Sequence, residues 1–419
     1  MADNTEVVAR HPRLPRLQGG EASAVDAQRE KHNRSQSLSA RVFKDTFKRR
    51  GAQIGALWLV LLSLVAIFAP LLANSRPLLL SVAGQIQSPA FRYMTAVDLT
   101  LLLLFVGGVV LVALSVGYRR VFTALIIMGI ICFVVLSQLV SPPKLSIYEE
   151  YRQSESMQTA DWVIYAPVPY SPKDYLRDYG DTGLLAPGLN EDRIHLLGTE
   201  ENGADLLSRM IHAARLALGI GLVATGIAMV LGVFIGGFMG YFSGVVDMLG
   251  MRLVEIFEAV PTLFLLLTFV AFFDRSLYLM MVIIGLTSWP GYARYVRAEF
   301  LRLRNQDFVQ AAVASGLPLR SILFRHILPN AVAPVLVAAS FGVASAILAE
   351  ATLSFLGLGL IDDPSWGQML NQAVRSSTFN WWMALFPGGA IFLTVFSYNL
   401  IGEALRDALD PLTQRADST

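Results

Sequence analysis

DFVQAAVASGLPLRSILFRHILPN, Asp307 to Asn330, is polar and basic, is broken at its centre by Gly316 and Pro318, and stands between two long apolar runs. Each half reads as a short amphipathic helix. Asp307 suits the N-cap of the first, Gly316 suits the left-handed residue that ends it, and Pro318 suits the first turn of the second. Pro329 is expected to stop the second half, since proline has no N–H to offer the preceding turn. A polar helical hairpin between segments long enough to span lipid must lie outside the bilayer. The fold class that follows is an all-α polytopic membrane protein.

Composition agrees. Of 419 residues, 54% are hydrophobic and 16% charged, whereas ordinary soluble domains are about 25% charged. A formal net charge of +1 gives no footing for nucleic-acid binding. Cys132 is the single cysteine and sits in an apolar run, which excludes an intrachain disulfide and suits a small core residue.

A helix crosses the hydrocarbon with about 20 apolar residues. Eight runs qualify: Gln53 to Ala73, Val97 to Gly117, Val121 to Val140, Ile211 to Tyr241, Leu253 to Phe273, Leu277 to Val296, Ala331 to Ala351 and Trp381 to Gly402. The first follows a long hydrophilic stretch and is expected to be retained rather than cleaved as a signal peptide. Lys and Arg gather on cytoplasmic flanks. The tail before Gly51 holds eleven of them, so both termini, the turn at Tyr118 to Arg120 and the quoted hairpin are expected on the cytoplasmic side. The hairpin region carries Arg294, Arg297, Arg302, Arg304, Arg320 and Arg325, while Ser141 to Asp205 carries twelve acidic residues against five basic ones and falls outside. The resulting division is a disordered cytoplasmic tail (1–50), a first crossing (51–73), an extra transmembrane hairpin (97–140), an irregular external insertion without its own fold (141–205), and a core (206–412) that includes the cytoplasmic hairpin at 300–330.

No phosphate-binding loop of the G-x-x-x-x-G-K-[ST] kind is present, so the chain has no ATPase site of that type. The five histidines show no metal-ligand spacing and no serine-nucleophile elbow occurs, so neither a metal nor a catalytic residue is assigned. Gly232, Gly236 and Gly240 recur every four residues and clear one helix face for a neighbouring backbone. Glu255 and Glu258 lie a helical turn apart near the cytoplasmic end of a crossing that Pro261 should bend, and Glu350 lies near the outer end of another. Near a helix end such carboxylates either reach interfacial water or line a polar path. Leu353 to Leu360 is too short to span and reads either as a re-entrant or surface-lying piece that closes the outer mouth or, by a small margin of preference, as an external loop packed on the bundle, and Trp381 and Trp382 read as an interface belt.

The quoted hairpin resembles the cytoplasmic coupling loop of permease subunits of bacterial ABC importers, in the oligopeptide/dipeptide/nickel branch. The matching residues are Gln310-Ala311-Ala312, Gly316, His326 and Leu328-Pro329, and the His-Ile-Leu-Pro-Asn ending through Asn330 is typical of that branch. HLLGTEENGADLLSRMIHAAR, GYFSGVVDMLGMRLVEIFEAVPTL, WPGYARYVRAEFLRLR, AILAEATLSFLGLG, PSWGQML and WWMALFPGGAIFLTVFSYNLIGEALRDALDP are similar to the family as well, from about Ile194 to Pro411. Three features depart from it. Gln310 replaces the usual Glu, GTEENGAD lacks the usual Gly-Arg-Asp, and the helices at 97–140 add to the normal six crossings.

The resemblance implies a six-helix type I importer core plus an extra hairpin, in a bacterial inner membrane. It implies partners: a second, non-identical permease, two ABC ATPases that bind ATP and Mg, and an external substrate-binding protein. Ala311, Ala312 and Ala314 would enter a groove on the ATPase, and Gly316 would allow the reversal. The implied function is import of oligopeptides or dipeptides coupled to ATP hydrolysis by those ATPases, with no cofactor in this chain. An ion-gradient-driven secondary transporter is the alternative, and it calls for paired intramembrane charges or broken helices in repeated halves.

Overall fold

The computed structural model describes residues 42, 44–115, 117–143, 147–153, 160–190, 193–273, 275–360, 363–376 and 378–409. The tail expected to be disordered therefore lies almost wholly outside the described residues, as do 410–412 of the expected core. Every apolar run of the sequence is helical. The helices are α1 (Arg50–Leu72), α2 (Ala96–Ala113), α3 (Tyr118–Leu139), α4 (Leu206–Phe242), α5 (Gly244–Ala259), α6 (Thr262–Phe272), α7 (Leu277–Arg304), α8 (Asp307–Ala314), α9 (Leu328–Phe355), α10 (Trp366–Arg375) and α11 (Trp381–Leu409).

Six of these helices are long and apolar enough to cross a membrane, and α5 with α6, bent by 78° at the break before Thr262, add a seventh crossing if the bent pair is one span. The bend falls at Pro261, as its missing N–H requires. The eighth expected crossing, Leu277 to Val296, forms most of α7. That helix is less apolar than the other crossings, with Thr287, Ser288, Pro290 and Tyr292 at its middle and arginines towards Arg304.

The glycine stripe packs inside the bundle. A Cβ on Gly232 would meet the Tyr292 Cβ at 2.3 Å, one on Gly236 the Ala293 carbonyl at 2.3 Å, and one on Gly240 the Arg297 carbonyl at 2.6 Å. Bare faces thus bring α4 and α7 into backbone contact, which in lipid substitutes for the missing hydrophobic drive. Arg304 finishes this pair by donating to the Tyr241 carbonyl at 2.9 Å and to the Ser243 hydroxyl at 2.8 Å.

The added helices α2 and α3 pack on each other through Gly107, Gly108 and Gly129, which face Met128, Leu125 and Leu104. Within their span windows only 11% and 0% of residues are buried, so most of the pair faces outward. Near its outer end the pair is fastened to the core. Asp98, in a capping box with Thr95, meets Arg215 of α4. The same guanidinium donates to the Ala66 carbonyl at 3.0 Å and the Ile67 carbonyl at 3.3 Å. Pro70 cannot serve the Ala66 carbonyl, and Arg215 takes its place.

The segment expected outside differs from expectation. It is not merely irregular: β1 (Leu79–Val82) pairs antiparallel with β2 (Gln85–Gln87) and, across the added hairpin, with β3 (Ala160–Ile164), while β4 (Gly188–Asn190) pairs with β5 (Arg193–His195). Arg152 bridges Asp174 at 2.5 Å and Asp178 at 2.6 Å, and buried His195 joins Asp205, the N-cap of α4, at 2.9 Å. These strands were too short for alternation to reveal.

Two further readings are corrected and one stands. Trp382 is buried and donates to the Thr199 carbonyl at 3.3 Å, tying α11 to the outer segment, while Trp381 is 49% exposed as an interface residue would be. Glu350 is 2% exposed and accepts from Ser354 at 2.6 Å. It neither reaches water nor opens onto a path. The stretch Leu353 to Leu360 continues α9 to Phe355, reverses at Gly357 (φ +81°), and buries Leu353 and Leu360 against the bundle, as the packed-loop reading expects.

Candidate functional site

The chain leaves α7 at Arg304, forms α8, reverses, and returns through Leu319–Ser321 and a π-helical stretch at Ile322–Ile327 into α9. Gly316 has φ +69°, the left-handed conformation the sequence calls for. Pro318 precedes the second half, as expected, but Asp307 does not cap the first. Gln306 holds the N-cap position with no side-chain bond, and Asp307 sits in the first turn, where its charge still suits the helix dipole. Pro329 does not stop the second half either. It stands in the first turn of α9, and the widened π turn before it relieves the clash its ring would make with a regular preceding turn. The hairpin's second half and α9 are one continuous rod.

The hairpin's inner face is a small core of Phe300, Leu303, Val309, Ala312, Ile322 and Ile327. Ala312 is 6% exposed, so the expectation that it enters a partner's groove is corrected: it faces inward. Gln310, Ala311 and Ala314 are exposed and form the small-residue face, flanked by Phe308 at 43% and Val313 at 46%. Gln310 donates to the Arg304 carbonyl at 2.8 Å and so caps the end of α7. Asn330 donates to the His326 carbonyl at 2.7 Å; His326 is half-buried and Pro329 exposed.

Above the hairpin, α4, α7 and α9 line an open cavity of about 680 Å³, with the end of α11 at its rim. Its polar lining is Thr225, Ser288, Tyr292, Tyr295 and Ser345, and Arg406 is its one charged residue. Tyr292 is wedged between helices: a Cβ on Gly342 would fall 1.6 Å from its hydroxyl. None of Glu255, Glu258 or Glu350 lines this space. Glu255 pairs with Arg252 at 2.5 Å and Glu258 with Arg294 of α7, at sites that keep 47% and 34% of the two carboxylate side chains exposed. Alongside, Arg297 clamps Asp247 of α5. No motif marks the hydroxyl lining, because its Ser, Thr and Tyr residues are scattered over three apolar runs.

Residues 232–415 match the family described as binding-protein-dependent transport system inner membrane component, and residues 37–89 match the N-terminal transmembrane domain of oligopeptide transport permease C. The added hairpin falls in the stretch between the two. Among relatives, the oligopeptide transport system permease protein OppC of Haemophilus influenzae is 38% identical over 55% of this chain and 75% of its own length. The di/tripeptide transport system permease protein DppC of Pseudomonas aeruginosa is 39% identical over 61% and 84%. The glutathione transport system permease protein GsiD of Pectobacterium atrosepticum is 36% identical over 60% and 82%.

Proposed function

This chain belongs to the binding-protein-dependent transport family of inner membrane components, a multi-pass permease subunit of an ABC importer, and from that premise we propose that it imports oligopeptides or dipeptides as one of two non-identical permeases. Two ABC ATPases bind ATP and Mg and dock on the hairpin, an external binding protein delivers substrate, and both termini of the chain are cytoplasmic. The ion-gradient alternative is set aside with the family. One observation carries the coupling reading. The exposed face Gln310, Ala311 and Ala314 is held on a small rigid core, and the two helices that leave that core, α7 and α9, are walls of the cavity. A force on the hairpin therefore reaches the cavity without an intervening flexible segment, and ATP shifts the access states by its differential affinity for them. Small side chains permit close approach to a partner's groove, and the hydroxyl lining suits passage of peptide groups that need hydrogen bonds but no fixed charge.

The test follows from the burial pattern. Ala311→Arg is expected to leave the permease folded in detergent while abolishing co-purification of the ATPases and ATP-dependent uptake in proteoliposomes. Ala312→Arg is expected to lower the unfolding midpoint, since it forces a cation into the hairpin's core. Full ATPase association and uptake by Ala311→Arg would remove the coupling role.

A further inference from the structure

We propose that the added hairpin and α1 form a binding groove for one anionic phospholipid. Contacts that hold α2 against the core lie towards its outer side: Asp98 with Arg215, and Phe105 edge-on to Phe68 at 5.0 Å. Between them and the opposite end, a groove of about 410 Å³ is lined by Ala56, Val60, Leu64 and Ile67 of α1, Phe105 of α2 and Ile401 of α11. Ser63, its one hydroxyl, is satisfied by the Leu59 carbonyl at 2.7 Å. The lining therefore has nothing to offer a polar ligand.

Length identifies the occupant. Ala56 to Ile67 spans about 16 Å at 1.5 Å per residue, close to the roughly 15 Å of one leaflet's hydrocarbon, and the almost wholly apolar lining along that length suits an acyl chain. Charge identifies the headgroup. Arg50 begins α1, six residues beyond Ala56 at the groove's lower end. It is exposed and has no ion-pair partner among the described residues, whereas Lys48 and Arg49 are already paired with Asp45 and Asp407. A free guanidinium below an apolar slot matches a phosphate below an acyl chain, and basic residues beside helices hold anionic lipids in this way.

The experiment places the full chain in nanodiscs of equal phosphatidylglycerol and phosphatidylcholine, extracts it into mild detergent, and reads retained lipid by native mass spectrometry. One phosphatidylglycerol is expected to stay bound to the wild-type chain. Arg50→Gln is expected to cut that retention about fivefold, the share of one cation near the headgroups. Val60→Phe, which fills the slot with an apolar group on a lipid-facing surface, is expected to abolish it. Val112→Phe, on an exposed face outside the groove, is expected to leave it unchanged. Retention by Val60→Phe equal to wild type, equal retention of the two lipids, or a wild-type chain that keeps no lipid would each overturn the proposal.

Discussion

At Gly316 an added Cβ would meet nothing within 4 Å, so the cost of a side chain there is wholly that of holding it at positive φ. Gly316→Val is expected to lose about 1–2 kcal/mol in the hairpin and to weaken ATPase co-purification, with Gly316→Asn falling between it and wild type because Asn tolerates the left-handed region. Equal association for all three would show that the reversal is not needed. Glu200 raises the opposite kind of question, one of charge. It is fully buried with one carboxylate oxygen unpartnered, and burial pushes its pKa above the ordinary value. A carboxyl group raised in the folded state costs stability once the pH exceeds its unfolded value of about 4.3. Glu200→Gln is therefore expected to raise the unfolding midpoint at pH 8 and to lose that advantage as the pH falls towards 4. An advantage independent of pH would point to packing instead. Gly316 and Pro318 were readable in the sequence because backbone rules are local. The inward aim of Ala312 was not, since it depends on where Ile322 and Ile327 pack after the chain reverses.

Elements were legible where composition alone decides them. The apolar runs became helices with ends displaced by a few residues, and Pro261 bent its helix. Pro329 misled because its effect depends on whether the preceding turn is free to widen, which the Ile322–Ile327 stretch is. Nor did Asp98 and Arg215 announce themselves, standing in separate runs. Their pair joins two elements at side chains only 10% and 22% exposed, so the loss of either partner should be felt. Asp98→Asn is expected to lower the midpoint in detergent by the equivalent of about 1–3 kcal/mol. Adding Arg215→Gln is expected to recover part of that, by removing the guanidinium left without a counter-charge. A midpoint unchanged in Asp98→Asn would mean that the backbone carbonyls of α1 suffice to hold Arg215.

The whole molecule has a basic end at the hairpin and an acidic, strand-bearing end opposite. Sidedness follows from that polarity and can be read with thiols. In a Cys132→Ser background, a cysteine replacing Gln85 in exposed β2 is expected to react with an impermeant reagent on intact spheroplasts, and one replacing Ser315 in the hairpin only after lysis. The reverse order would invert the topology. Most of the crossings were visible in the sequence because lipid imposes a length on them. The sheet joining 79–87 to 160–164 was not, since three strands of three to five residues separated by two membrane helices leave no periodic trace.

That sheet also bears on how the chain acquired its extra length. Val82 and Ala160 are direct partners across β1 and β3, so the chain departs and returns on one sheet. The N-terminal family match ends at residue 89, just past β2, so the added stretch leaves from one edge strand of this sheet and returns as the other, and residues 90 to 159 could enter or leave an ancestral gene without displacing β1 or β2. Such an exchange would be noticed at Arg215, which would trade a carboxylate for lipid, and at buried Asp174 and Asp178, which would lose Arg152.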